Sequence, residues 1–244
     1  MSVRNPKWHR DEILLALDLY FRSDRGAIDA KNPNIIALSQ ELNQLPIFTD
    51  KPDLDRFRNP NGVSLKLSNF LAIDPQYPGK GMSSYSKLDK EIFTEFDSDR
   101  QRLQHIVALI RATVNDEKLV SALNKIEDDE LTQYDSVLEG QIIYKLHKLR
   151  ERNVSIIKAK KRVVLNARGC LKCEVCGFDF EKTYGVLGKG FIECHHNVPL
   201  SEYELNKSTN LDDLSIVCSN CHRMLHRGKS IITISELKHV FLNV

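Results

Sequence analysis

The chain has 244 residues, of which 41% are hydrophobic and 28% charged, and its formal net charge at pH 7 is +2. This composition is typical of a globular protein with one large domain or two small ones. No apolar run approaches the roughly 18–20 residues that cross a bilayer. Residues 1–6 also lack the hydrophobic stretch of a signal peptide. We therefore expect a cytoplasmic protein with reduced thiols and no membrane partner.

Apolar periodicity and capping signals predict a run of short helices in the N-terminal half. The predicted helices cover residues 9–22, the stretch from Pro33 to before Pro46, and residues 59–70, 87–96 and 99–114. Together they predict an all-helical bundle over residues 1–130.

The third of these helices opens with Asn59 and Pro60, a capping side chain followed by proline at the first helical position. Its apolar residues are expected to face inward and Lys66 outward. The side chains of Arg58, Asn59 and Lys66 are candidates for contact with phosphates or base edges. Packing alone also explains the apolar positions of this helix, so a purely structural bundle is the alternative.

The polar and acidic segment at residues 128–136 is the predicted domain boundary. Helices are expected at residues 139–150 and 153–168, the second ending at Gly169 as a C-terminal cap. We expect a helical, basic linker at residues 131–152 and a separate C-terminal domain at residues 153–244.

Positive charge is concentrated between Lys145 and Lys172, where ten Lys and Arg residues accompany a single acid, Glu151. Such a block is a candidate phosphate-facing surface, and a solvated helix face is the alternative. Its candidate DNA contacts are Lys160, Lys161 and Arg162.

The C-terminal domain contains two Cys-x-x-Cys pairs, which are Cys173 with Cys176 and Cys218 with Cys221. In a reducing compartment such pairs indicate metal ligands, and four thiolates suit one tetrahedral structural zinc ion. A redox motif is the competing interpretation. Cys170 and Cys194 remain outside this set and are expected to be spare buried thiols.

Four histidines accompany the cysteines: His195, His196, His222 and His226. A two-Cys, two-His finger is excluded, because such fingers need about twelve residues between the last cysteine and the first histidine. His222 directly follows Cys221 instead. His222 and His226 are four residues apart and share one helix face, so both imidazoles can reach one ion. A neutral histidine can also deprotonate water near pH 7.

Residues 193–200 and 210–226 resemble the HNH endonuclease family, whose catalytic unit is a ββα-metal finger. The resemblance covers roughly residues 153–228. It implies that His196, three positions before the motif proline, is the general base. It also implies that His195, His222 and His226 bind the catalytic ion, and Arg223 is a candidate for added positive charge near the phosphate.

One position departs from the family motif: Asp213 stands where relatives have an asparagine that secures the loop carrying the base. The carboxylate can accept hydrogen bonds and is expected to orient His196. Asn210 is the alternative for this role.

The resemblance implies an α+β protein, with an N-terminal all-helical bundle followed by a C-terminal, zinc-stapled ββα-metal nuclease domain. The implied reaction is hydrolysis of phosphodiester bonds in double-stranded DNA. The expected cofactors are a structural Zn²⁺ and a catalytic Mg²⁺ or Mn²⁺, with Ni²⁺ or Zn²⁺ as alternatives.

The overall layout is similar to the 5-methylcytosine-specific restriction protein A group. This similarity implies that residues 1–130 are a DNA-recognition domain and that the protein has a restriction role that depends on modified bases. The alternatives are a nicking HNH nuclease of a phage or mobile element and a zinc-stapled DNA-binding protein without catalysis. A homodimer is expected if both strands are cut, with an interface on the long helices between Asp99 and Arg150.

Overall fold

The computed structural model describes residues 4–82, 84–126, 140–198, 209–227 and 232–243. These ranges contain eleven α-helices and one two-stranded sheet. They divide into two compact units, one that ends at Lys125 but also takes in Gly140–Ile143, and one that includes Tyr144 and the residues after it. Within the described ranges, no helix combines the length and apolarity needed to cross a membrane. The predicted boundary at residues 128–136 lies outside them, as does Pro199 with its following turn.

The first unit is helical, as the sequence predicts. Its helices are α1 (Arg10–Phe21), α2 (Pro33–Gln44), α3 (Pro60–Leu71), α4 (Lys87–Phe96), α5 (Arg100–Val114) and α6 (Glu117–Leu123). The sequence patterns predict α1 to α5 but not α6. Helix α1 is central, since it is buried from Arg10 to Tyr20 and contacts α2, α3, α4 and α5.

Helix α3 begins where the capping signal predicts. The Asn59 side chain accepts a hydrogen bond from the Gly62 amide at 2.9 Å, and Pro60 occupies the first helical position. Because this cap satisfies one of the orphan amides of the first turn, it fixes the start of the helix. The side-chain oxygen of Asn59 therefore serves to cap α3.

Two predicted DNA contacts are buried inside this helical unit. The guanidinium of Arg58 donates to both carboxylate oxygens of Glu12, at 2.6 and 2.8 Å, and the residue is 5% exposed. Lys66 is 6% exposed, and its Nζ lies 2.6 Å from Oδ1 of Asp89. Burial lowers the pKa of Lys66, although Asp89 opposes the shift. The outward orientation predicted for Lys66 is wrong, because Asp89 gives the ammonium group a buried partner. DNA contact by Arg58 or Lys66 is inconsistent with this burial.

The second unit contains a short sheet surrounded by helices. Helix α7 (Gln141–Glu151) lies mostly in it and is followed by α8 (Val154–Arg168), α9 (Phe180–Tyr184), β1 (Glu193–His196), β2 (Leu214–Val217), α10 (Ser219–Leu225) and α11 (Ile234–Leu242). Residues 144–151 therefore group with the C-terminal unit, whereas the sequence assigns them to a linker. The order β1, β2, α10 is the ββα arrangement that the resemblance implies.

The sheet positions the histidines and cysteines. Strands β1 and β2 are antiparallel, with Cys194 opposite Ile216 and His195 opposite Ser215. Cys194 and Ile216 pack with Val164 of α8, so one face of the sheet is closed by apolar side chains. Since neighbouring residues of a strand point to opposite faces, His195 is directed away from that core. Cys194 is a buried thiol, as expected, whereas Cys170 is only partly buried.

Candidate active site

The four cysteines of the two Cys-x-x-Cys pairs form one cluster, in which all four sulfurs lie within 4.8 Å of one another. The Sγ atoms of Cys176 and Cys218 are 3.7 Å apart. That distance is far longer than a disulfide bond of about 2.05 Å. It is close to the separation of about 3.8 Å expected for thiolates on a tetrahedral zinc ion with Zn–S bonds of about 2.3 Å. The cluster could therefore bind structural zinc.

Local backbone geometry directs the first cysteine pair toward this point. The amide of Gly177 donates to the carbonyl of Cys173 at 2.9 Å, and the φ angle of Gly177 is +73°, a conformation that glycine adopts without strain. The second pair opens α10, where Cys218 caps the helix and its Sγ accepts a hydrogen bond from the Cys221 amide at 3.4 Å. A tight turn and a helix start thus bring the two pairs together.

A second cluster surrounds one carboxylate oxygen, Oε1 of Glu151. This oxygen lies 2.9 Å from Nε2 of His147 and 2.9 Å from Nε2 of His222. It is also 3.3 Å from Nε2 of His226 and 3.5 Å from Nδ1 of His195. This histidine cluster consists of His147 and Glu151 from α7, His195 from β1, His222 from α10, and His226 directly after α10.

The donors of the histidine cluster fit a divalent cation. A tetrahedral ion with bonds of about 2.0–2.1 Å holds its ligand atoms about 3.3–3.4 Å apart, and the Nε2 atoms of His222 and His226 are 3.2 Å apart. Oε2 of Glu151 and Nδ1 of His195 are buried and have no hydrogen-bond partner among the described residues. Burial opposes ionisation of Glu151, but the imidazoles around it, His147 above all, hold its pKa well below the usual range. The site therefore combines an anionic oxygen with several imidazole nitrogens.

A second carboxylate orients His222. Oε2 of Glu193 lies 2.6 Å from Nδ1 of His222. A proton on Nδ1 that is donated to Glu193 would leave the lone pair of Nε2 available to a bound ion, which is the carboxylate–histidine arrangement found around metal ions. Burial alone would lower the pKa of His222, but Glu151 and Glu193 raise it to about 9. By contrast, burial lowers the pKa of His226 to about 4.

His196 lies beside the histidine cluster at the end of β1. It is 5% exposed, and neither ring nitrogen has a hydrogen-bond partner among the residues that the structure describes. Its ring centroid is 5.6 Å from that of His147. Burial lowers the pKa of His196 to about 4, with the neighbouring His147 as the next cause, so the ring is neutral at pH 7.

Asp213 secures the loop after His196 through its backbone. Its carbonyl accepts the amide of Asn197 at 2.8 Å, and its carboxylate accepts the amide of Asn210 at 3.0 Å. Since the ring nitrogens of His196 have no hydrogen-bond partner in the described ranges, the orienting hydrogen bond predicted from Asp213 is not formed. Asn210 caps the same short turn and is not bonded to His196 either.

The predicted basic contacts of this unit differ in exposure. Lys160 and Lys161 donate through Nζ to backbone carbonyls of the segments that precede β2 and β1, at 2.9 and 3.0 Å. Both side chains thus help to hold α8 against the sheet segments. Arg162 and Arg223 are exposed and present their charge to solvent.

Three residues of the site lie outside the sequence prediction: His147, Glu151 and Glu193. His147 and Glu151 are four residues apart on α7, so they share one helix face. That spacing is a readable signal for a metal site, although it falls in a basic segment that otherwise resembles a solvated helix. Glu193 stands at the start of the motif strand, without a predicted role.

Residues 173–228 match the family model for the HNH endonuclease. This segment includes the four clustered cysteines, both strands and α10, and it begins after α7 and α8. No curated protein and no solved structure matches the chain. The four-cysteine cluster and the histidine cluster are the two groups of metal donors expected of the family that the matched segment indicates. The chain thus contains an HNH endonuclease domain at residues 173–228, and such a domain suggests a metal-dependent DNA endonuclease in general.

Proposed function

We propose that this protein hydrolyses phosphodiester bonds of double-stranded DNA and that His196 is the general base. One observation carries the proposal: a buried, neutral imidazole whose ring nitrogens have no described partner lies next to a cluster of metal donors. An imidazole in that state can accept a proton, and its neighbours on β1 and α10 can place a cation beside it.

Each residue of the site has its own role in the proposed reaction. His196 would take a proton from the water that attacks phosphorus, and pairing of β1 with β2 holds this residue in place. His195, His222 and His226 would hold the ion, as the resemblance implies. When bound, a divalent ion neutralises phosphate charge and stabilises the leaving oxygen. Arg162 and Arg223, both exposed, would contact DNA phosphates.

The base assignment is tested with His196→Ala in the full chain. Supercoiled plasmid is incubated with Mg²⁺ or Mn²⁺, and the expected loss in cleavage rate is about 10²–10⁴-fold, the usual contribution of a general base. Metal content should not change. His239→Ala, at an exposed position of α11, is the matched control and should cleave normally. Wild-type cleavage by His196→Ala would show that another group is the base.

We further propose a restriction role, with the N-terminal helical unit selecting the DNA. This part rests on the sequence resemblance. Plasmids with and without modified cytosine test it, because double-strand cleavage confined to modified DNA is the expected result. Nicking or indiscriminate cutting would favour a phage or mobile-element nuclease, and binding without cleavage would favour a non-catalytic DNA-binding protein. Sedimentation of the protein on DNA tests the homodimer, and a monomer would contradict it.

A further inference from the structure

We propose that Glu151 of α7 is a ligand of the divalent ion at the histidine cluster. This residue lies outside the segment that matches the HNH endonuclease model, which begins at residue 173. The inference rests on the proposed function in one respect, which is that the bound ion is the catalytic one. It adds a carboxylate donor from a separate helix to the three histidines of the ββα unit.

Glu151 belongs to the histidine-containing donor set whose atoms lie close enough together to hold one ion. This set consists of His147, Glu151, His195 and His226, whose donor atoms all lie within 4.8 Å of one another. His222 lies beside this set, with its Nε2 2.9 Å from Oε1 of Glu151 and 3.2 Å from Nε2 of His226. Because His147 and His222 both lie 2.9 Å from Oε1 of Glu151, the role of Glu151 does not depend on which of the two completes the site.

The charges of the cluster favour the same conclusion. Glu151 is 8% exposed, and its Oε2 has no hydrogen-bond partner in the described part of the chain. A buried carboxylate with an unpaired oxygen is costly unless a cation compensates it. Neutral imidazoles alone would also leave both charges of a divalent ion uncompensated in a buried site. The carboxylate therefore stabilises the ion, and the ion satisfies the carboxylate.

His147 has a positioning role when His222 completes the donor set. Its Nε2 lies 2.9 Å from Oε1 of Glu151, one helical turn away on α7, and the residue is 2% exposed. Ligating carboxylates are commonly held by such a hydrogen bond, which fixes the direction of the donor oxygen. His147 and Glu151, four residues apart on α7, thus supply the group that orients the ligand and the ligand itself.

The test measures ion affinity in the full-length protein, with zinc retained in the cysteine cluster. Mn²⁺ is titrated and the free ion is followed by electron paramagnetic resonance. Three isosteric variants are compared: Glu151→Gln at the proposed ligand, Glu193→Gln behind His222, and Glu181→Gln at an exposed position of α9. Glu151→Gln should lose more than about 100-fold in Mn²⁺ affinity. Glu193→Gln should lose about 10–100-fold, which is typical for a residue that hydrogen-bonds a ligand without touching the ion. Glu181→Gln should match the wild type.

Wild-type affinity within about threefold in Glu151→Gln would overturn the inference. Circular dichroism and zinc content show whether that variant folds. If it does not, Glu151→Asp takes its place, because it keeps the charge but withdraws the oxygen by one methylene. It should bind Mn²⁺ at least about tenfold more weakly, and wild-type affinity would again refute the role of Glu151.

His195→Ala separates this inference from the proposed function. If His195→Ala and Glu151→Gln both bind Mn²⁺ like the wild type, the ion site itself is wrong and the proposed mechanism fails with it. If His195→Ala alone loses affinity, only the role of Glu151 is refuted. If both lose affinity and the wild-type protein cuts no DNA, the ligand assignment holds and the nuclease function fails.

Discussion

Replacing Arg58 by methionine should strongly destabilise the N-terminal unit. The guanidinium forms two hydrogen bonds with Glu12, which is 1% exposed, and two more with the backbone carbonyls of Pro6 and Lys7 at 3.1 and 2.9 Å. It also lies over the ring of Phe57, 4.5 Å from the centroid. The substitution would leave a buried carboxylate without its positive partner.

The magnitude follows from that burial. Removing one partner of a buried, hydrogen-bonded ion pair costs about 3–5 kcal/mol, since the remaining charge keeps its desolvation cost. We expect the upper part of this range for Arg58→Met, because the two backbone carbonyls also lose their donor. The φ angle of Arg58 is +46°, a left-handed conformation that the surrounding contacts must hold in place.

Urea unfolding followed by circular dichroism measures the change. Arg22→Met is the matched control: the ion pair of Arg22 with Asp24 has the same 2.6 Å separation, but its side chains are 39% and 67% exposed. An exposed pair contributes at most about 1 kcal/mol. The double variant Arg58→Met/Glu12→Gln should lose less stability than the sum of the two single variants, since the two groups contact each other.

One combination of results would refute this reasoning. If Arg58→Met unfolds at the wild-type urea concentration while DNA affinity falls, the guanidinium faces DNA instead of Glu12. Unchanged DNA affinity with a large loss of stability is the expected outcome.

Three further predictions concern zinc, backbone geometry and DNA. Cys218→Ser should lose the structural zinc and unfold the C-terminal unit, as measured by zinc content and thermal melting. The control variant Cys170→Ser should keep both the zinc and the fold. A normal melting curve for Cys218→Ser would contradict a structural zinc site. Gly140→Ala should destabilise the N-terminal unit by more than about 1 kcal/mol, because φ is +89° and the new Cβ would overlap a buried carboxylate of α1. Gly62→Ala, in ordinary helical space, should be neutral or stabilising in the same urea assay. Arg223→Met should weaken DNA binding and reduce the salt slope by about 1, and an unchanged slope would exclude a phosphate contact.

Local signals account for what the sequence predicts about the fold. Asn59 and Pro60 give the start of α3, and Gly169, with a φ angle of +69°, ends α8. These features act within a few residues, so they can be read from the chain directly. The orientation of Lys66 depends instead on Asp89, 23 residues away. A buried ion pair of that kind cannot be read from periodicity, which assigns every charged side chain to the solvent.

Some residues of the candidate site can likewise be predicted from the sequence, and others are seen only in the folded chain. Fixed spacings within the motif point to the cysteine cluster and to His195, His196, His222 and His226. Glu151 and His222 are 71 residues apart in the sequence, and only the folded chain shows that they lie 2.9 Å apart. The orienting role expected of Asp213 failed for a related reason, since its carboxylate is used within its own turn.

Helix α10 is only seven residues long, and it contributes side chains to both the cysteine cluster and the histidine cluster. Cys218 and Cys221 stand at its first turn, and His222 follows at once. A helix this short is not stable by itself in water, so the position of His222 depends on the core packing of Leu225 and on what holds the thiolates at the start of the helix. We therefore expect a fixed order of maturation. Zinc should bind the four cysteines before the histidine cluster can retain a divalent ion, so removal of zinc should also weaken the binding of that second ion.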